Sequence, residues 1–150
     1  MLWIAAVAGL AGLLTLIPLT THSDENKGVV FLPSPIDVLT NDSSKEQIKE
    51  AINFVVNKNG WNERDIFELQ ETVFGESGYD PNADNGISAG LSQFTLSTWI
   101  ENCSNKDDRK DPKKSIKCMV RLWEKGEQHR WDVWCMRFGR DNYRCQMRGF

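Results

Sequence analysis

The sequence predicts a mainly α-helical body with room for one small hairpin, preceded by an apolar N-terminal helix. Three observations carry this expectation. Several stretches after residue 43 repeat apolar residues at helical spacing between recognisable start and stop signals. One stretch, 77–86, is instead dense in turn formers. Residues 1–20 carry no charged side chain at all.

The N-terminal segment comes first. From Leu2 to Leu19 only Thr15 and Pro18 interrupt the apolar run. Eighteen residues at helical rise span roughly 27 Å, close to the hydrocarbon core of a bilayer. Residues 1–20 are therefore an export signal or a membrane anchor, separate from the fold. No Lys or Arg precedes the run, and no small-x-small cleavage site stands before Thr21, which favours an uncleaved anchor. Little positive charge follows it, so the body is expected outside the cytoplasm. Residues 21–43 read as a linker, because Pro33, Pro35 and the run Thr40-Asn41-Asp42-Ser43-Ser44 break any period. Residues 44–150 remain as the body, which is small for a single core.

The first body helix starts at Ser43 or Ser44. Ser43-x-x-Glu46 and Ser44-x-x-Gln47 are capping boxes in adjacent registers. Ile48, Ala51, Ile52, Val55 and Val56 form its stripe, and Asn59-Gly60 ends it. A second helix starts with Asn62 as N-cap and carries Ile66, Phe67, Leu69, Val73 and Phe74. Glu76 stands at its C-terminal end. The negative end of the helix dipole and apolar neighbours both raise a carboxyl pKa there. Such a group is a candidate general acid near neutral pH. A hairpin fits between Tyr79 and Leu91. A short helix follows over about 95–102, with Leu96, Trp99 and Ile100 inward. Asp111 and Pro112 open the next one, lined by Ile116, Met119, Val120 and Trp123. The last spans about 128–138, with Trp131, Trp134, Cys135 and Phe138 on one face.

Charge and cysteines bound the function. Residues 106–150 hold 13 Lys and Arg against 7 acidic residues, while 21–105 hold 5 against 14. The basic third could meet an anionic polymer or simply present solvated helix faces. With a sequence pI near 5.4 and no basic recognition motif, nucleic acid is not an expected partner. Cys103, Cys118, Cys135 and Cys145 all lie in the body, an even count behind an export segment, which reads as two disulfides. Three pairings are possible, and the sequential Cys103–Cys118 and Cys135–Cys145 is favoured. No C-x-x-C pair occurs, which argues against zinc. Asp80-x-Asn82-x-Asp84 begins like a calcium loop. Asn85 then stands where the turn glycine belongs, and Leu91 where the bidentate Glu belongs. No metal and no cofactor are expected.

The run Glu76-Ser77-Gly78-Tyr79-Asp80-Pro81-Asn82-Ala83, then Gly86, then Ser88-Ala89-Gly90-Leu91-Ser92-Gln93-Phe94 and Ser97-Thr98-Trp99 resembles the soluble lytic transglycosylase domain of the lysozyme-like superfamily. Asp111-Pro112, Ile116 and Leu122-Trp123 look like that family's next helix, so the likeness covers about 44–138. It implies a lysozyme-like α+β fold with a small hairpin beside a cleft. It also implies cleavage of the β-1,4 bond between N-acetylmuramic acid and N-acetylglucosamine in peptidoglycan strands. By position, Glu76 matches the catalytic acid, Ser77 would orient it, and Gln93 would hydrogen-bond the sugar or Glu76. Gly90 and Leu91 would form the cleft floor. The family's later Ala-Tyr-Asn run is absent. Trp131-Asp132-Val133-Trp134-Cys135 stands there, with Trp134 as the candidate to fill the space, donating only through its ring nitrogen.

A transglycosylase needs one carboxyl group, which protonates the leaving oxygen and then draws the proton from the sugar's own C6 hydroxyl. A hydrolase needs a second carboxylate, for which Asp80 and Asp84 are the candidates; otherwise both cap turns. Tyr79, in the loop after the acid, is the candidate for stacking on a sugar face. A third reading is a tethered module that binds glycan or a cell-envelope assembly partner without cutting. The expected location is extracytoplasmic, in periplasm or cell wall.

Overall fold

The computed structural model describes residues 32–150. Expectations for residues 1–31, the apolar segment among them, lie outside the described residues. Among those described, no helix is long and apolar enough to cross a membrane.

The architecture is mainly helical with one two-stranded sheet. Helix α1, Lys45–Lys58, takes the second of the two capping registers. The Ser44 hydroxyl accepts from Gln47 N–H, and the Gln47 side chain closes back on Ser44 N–H at 2.8 Å. Ile48, Ala51, Ile52 and Val56 are buried as the stripe requires. Helix α2, Glu63–Ser77, has Asn62 as its N-cap and ends on Gly78 in the left-handed conformation. Leu69 and Val73 face the core, whereas Phe67 and Phe74 remain about half exposed. A single helix face cannot bury neighbours on both sides of its stripe.

Strands β1, Ser88–Ala89, and β2, Phe94–Thr95, pair antiparallel with Ser88 opposite Thr95 and Ala89 opposite Phe94. The hairpin thus lies later than expected, closing over Gly90–Gln93 and not between Tyr79 and Leu91. Helix α3, Leu96–Asn102, buries only Trp99. Leu96 and Ile100, expected inward, are nearly half exposed, because seven residues leave room for one anchor, and the indole takes it. Helix α4, Pro112–Glu124, is capped by Asp111 and buries Ile116, Met119, Leu122 and Trp123. The expected helix over 128–138 is broken. A 3-10 turn, Gln128–Arg130, is followed by extended Trp131 and then α5, Asp132–Arg137. The Trp131 ring nitrogen donates to Ser92 O at 2.9 Å, and this tertiary bond fixes the break. Helix α6, Tyr143–Gln146, carries no apolar stripe and was not anticipated.

Helix α1 packs on α2 and α4, and α2 packs on α5. The core they enclose also takes Ile36 and Leu39, both nearly fully buried. The second half of the expected linker therefore belongs to the compact unit, which begins at Leu32. Pro33 and Pro35 break periodicity without preventing a turn from burying two side chains.

Both disulfides follow the sequential pairing, with Cα–Cα separations of 5.5 Å for Cys103–Cys118 and 5.4 Å for Cys135–Cys145. None of the described cysteines is free, so no thiolate remains for zinc. The first bridge pins α3 to α4, and the second ties α5 to α6. The bridges suit an oxidising, extracytoplasmic compartment. The Cys103→Ser/Cys118→Ser variant is expected to lose about 2–4 kcal/mol of stability, read from denaturant midpoints. Four free thiols in the mass of native material would remove both bridges and the compartment argument with them.

Candidate active site around Glu76

Glu76 lies in the last turn of α2, where that helix meets the start of α5. Gly75 makes the meeting possible. A Cβ built on Gly75 would collide with Val133 Cγ1 and lie 3.0 Å from its Cγ2. Gly75 lies inside α2 and lets α5 approach. The Glu76 side chain is consequently half-buried, and its pKa is pushed up to about 7 from an ordinary 4.5. Burial is the main cause. The backbone N–H of Val133 acts the other way, favouring the carboxylate. Asp132 raises the pKa further by charge repulsion, and Arg148 lowers it. The sequence argument for a raised pKa thus reaches the right direction, with burial against α5 as its leading cause.

Glu76 opens into a cleft of about 190 Å³ that Ser88, Gln93, Phe94, Thr95, Thr98, Arg130, Trp131, Asp132 and Arg148 also line. The hairpin and the start of α3 supply the first five of these partners. The segment around the start of α5 and the C-terminal residues supply the others. Gln93 is the second sequence-derived residue in the cleft. Its backbone takes φ 46°, and its Nε2 donates to Gly90 O at 2.9 Å and to Ala83 O at 3.2 Å. Both amide protons are spent on the turn, so Gln93 offers a ligand its carbonyl oxygen.

The remaining sequence-derived residues lie elsewhere. The Ser77 hydroxyl donates to Val73 O at 3.2 Å, back onto its own helix, and does not orient Glu76. Tyr79 is buried at 5% exposure. Its hydroxyl donates to Gln70 O at 2.9 Å, its ring packs beside Phe74, and burial raises its pKa to about 12. It is a core residue with a satisfied hydroxyl, not a platform for sugar. Gly90 approaches the backbone of Arg109 and Lys110, and Leu91 is fully buried, so neither forms the cleft floor. The Trp134 ring nitrogen donates to the buried Glu68 carboxylate at 3.0 Å, turned away from the cleft. The stacked and edge-on indoles of Trp61, Trp123, Trp131 and Trp134 form an aromatic layer behind the cleft.

Asp80 and Asp84 do not line the cleft either. Asp80 Oδ1 accepts Asn82 N–H at 2.8 Å, and Asp84 Oδ1 accepts Gly86 N–H at 2.8 Å. Asp84 also pairs with Lys110 at 2.9 Å, whose ammonium holds its carboxyl below the usual carboxylate range. Both cap turns.

The cleft's second carboxylate is Asp132, which sequence reasoning missed, together with Arg148, Arg130 and Trp131. Asp132 follows Trp131 directly, inside the stretch read as one continuous helix, so it carried no start signal. Arg148 had no signal at all: the Cys135–Cys145 bridge ties the C-terminal segment to α5, and Arg148 lines the cleft from there. No family model, curated protein or solved structure matches this chain.

Proposed function

We propose that the chain is a peptidoglycan lytic transglycosylase with a lysozyme-like fold and Glu76 as its single acid–base group. One observation carries this reading. A half-buried carboxyl with a pKa of about 7 opens into a cleft beside Gln93, and both belong to the quoted motifs. A carboxyl poised near working pH donates a proton efficiently and takes one back in the next step. Glu76 would protonate the leaving glycosidic oxygen. As the carboxylate, stabilised by Val133 N–H, it would then take the proton of the C6 hydroxyl while O6 attacks C1 and closes the 1,6-anhydro ring. No cofactor enters this scheme. Residues 1–20 would hold the body at an outer membrane face, in periplasm or wall, where the disulfides persist.

A second reading is an inverting or retaining hydrolase, and the presence of Asp132 in the cleft favours it. Incubating the full chain with peptidoglycan strands and weighing the products separates the readings. Anhydro ends support the transglycosylase, reducing ends the hydrolase, and intact strands a binding module. Asp84→Asn is expected to leave product identity unchanged and activity nearly so, because Asn makes the same turn bond. A severe loss without unfolding would return Asp84 to the mechanism.

A further inference from the structure

Two carboxyl groups share the cleft, yet only one is unencumbered. Asp132 is the first residue of α5, next to the Val133 N–H that favours ionised Glu76. Its Oδ1 pairs with the Arg148 guanidinium, which also donates to His129 O. Arg148 is held in that place from several sides. Its backbone N–H donates to Cys145 O at 3.0 Å, and its guanidinium lies 5.7 Å from the Phe150 ring centre. Cys145 is itself bridged to Cys135 in α5. The other cation lining the cleft, Arg130, is engaged by Glu127 at 2.9 Å. The Arg148 and Asp132 side chains are 39% and 57% exposed, so their pair adds little to stability. Such constraint on a pair of small stabilising value points to the chemistry of the cleft.

We propose that Arg148 is a positioning residue that decides the product: by pairing with Asp132 it keeps that carboxylate from activating water, and the substrate's own C6 hydroxyl remains the nucleophile. The proposal rests on the reading of Glu76 as the glycan-cleaving acid. A carboxylate oxygen that accepts from a guanidinium is fixed in direction, and the lone pair so engaged does not face a water. In either route the C1–O bond breaks and the leaving oxygen takes the Glu76 proton. With Arg148 in place, O6 bonds to C1 and its proton returns to Glu76. With Asp132 released, a water oxygen bonds to C1 and its proton goes to Asp132, leaving a reducing end.

The test compares full-length wild type, Arg148→Gln, Arg148→Lys and Arg148→Gln/Asp132→Asn, with peptidoglycan strands as the probe. Arg148→Gln is expected to raise the share of reducing ends at least about tenfold. Arg148→Lys keeps the charge and should stay near wild type, and the double variant should return to anhydro ends alone. An unchanged product ratio in Arg148→Gln overturns the proposal. So does loss of all cleavage in Asp132→Asn alone, which would make Asp132 already catalytic. A readout independent of activity follows the Glu76 carboxyl by NMR. The charged groups facing it are Asp132, Arg130 and Arg148, so Arg148→Gln should move its titration midpoint up and Asp132→Asn should move it down. An immobile midpoint in both variants overturns the proposal whether or not the protein cleaves. A wild type that cuts nothing while the midpoints move as stated defeats the transglycosylase reading and the product role with it, and leaves only the coupling of Arg148 and Asp132 to Glu76.

Discussion

Glu76→Gln is expected to reduce glycan cleavage by at least about 10²–10⁴ while the fold persists. The amide keeps the shape of the side chain and cannot deliver a proton. The wild-type rate should fall as pH rises above about 7, because the acid ionises there. Stability should respond in a related way. The folded pKa of about 7 lies above the ordinary 4.5, so the native state binds this proton more tightly than the unfolded chain. The resulting stabilisation is complete below about 4.5 and is lost as pH rises through about 7. His129, whose pKa burial lowers, changes stability in the opposite sense in this range. The clean quantity is therefore the difference between wild type and Glu76→Gln, in which His129 cancels. The variant should gain on wild type steadily from pH 4.5 to pH 7. Thermal midpoints across that range measure it, and a flat difference would place Glu76 in open solvent.

Gly90→Ala is expected to be the most destabilising single substitution near the cleft, at roughly 2–5 kcal/mol. Two costs combine. Gly90 has φ 79°, which an L side chain adopts only under strain. A Cβ there would also collide with Arg109 O and lie 2.8 Å from Arg109 C. Those are backbone atoms and cannot rotate aside. Relief would require lifting the hairpin off residues 109–110, which drags Leu91 from the core and breaks the Gln93 bond to Gly90 O. Gly60→Ala is the control. Gly60 has φ 73° with nothing within 4 Å of its Cβ position, so only the conformational cost of about 1 kcal/mol remains. Equal denaturant midpoints for the two variants would mean that the close approach at Gly90 is absent.

The starts of α1 to α4 were legible because their determinants are local, whereas the start of α5 and the whole of α6 were not. Ser44, Asn62, Thr95 and Asp111 each cap the helix that follows by accepting from an N–H two or three residues on. A signal that closes within one turn survives in any context. The sequence reached the direction of the Glu76 pKa from the apolar helix end, although its leading cause is burial where α5 packs on that end. The disulfide scheme was open among three pairings with the sequential one favoured, and both bridges follow it at sequence separations of 15 and 10.

Side-chain destinations were not legible to the same degree. Tyr79 and Ile100 illustrate the exchange: the loop aromatic is buried and the helical isoleucine is exposed. Period and loop position report what a residue's neighbours in sequence are doing. Burial depends on how the chain folds back: Tyr79 turns onto the Gln70 carbonyl and the Phe74 ring of α2, and Lys49 of α1 lies 5.2 Å from its ring centre.

By itself, then, the sequence determined where the first four helices begin, that four cysteines form two bridges, and that Glu76 closes an apolar helix ahead of a tight turn. Only the tertiary structure decided what faces that carboxyl. Gly75 admits α5, α5 brings Asp132 and Val133, and the Cys135–Cys145 bridge brings Arg148. The physical reason is range. Caps and turns are set by hydrogen bonds within a few residues, whereas a cleft is assembled from segments that packing and a disulfide draw together from remote parts of the chain.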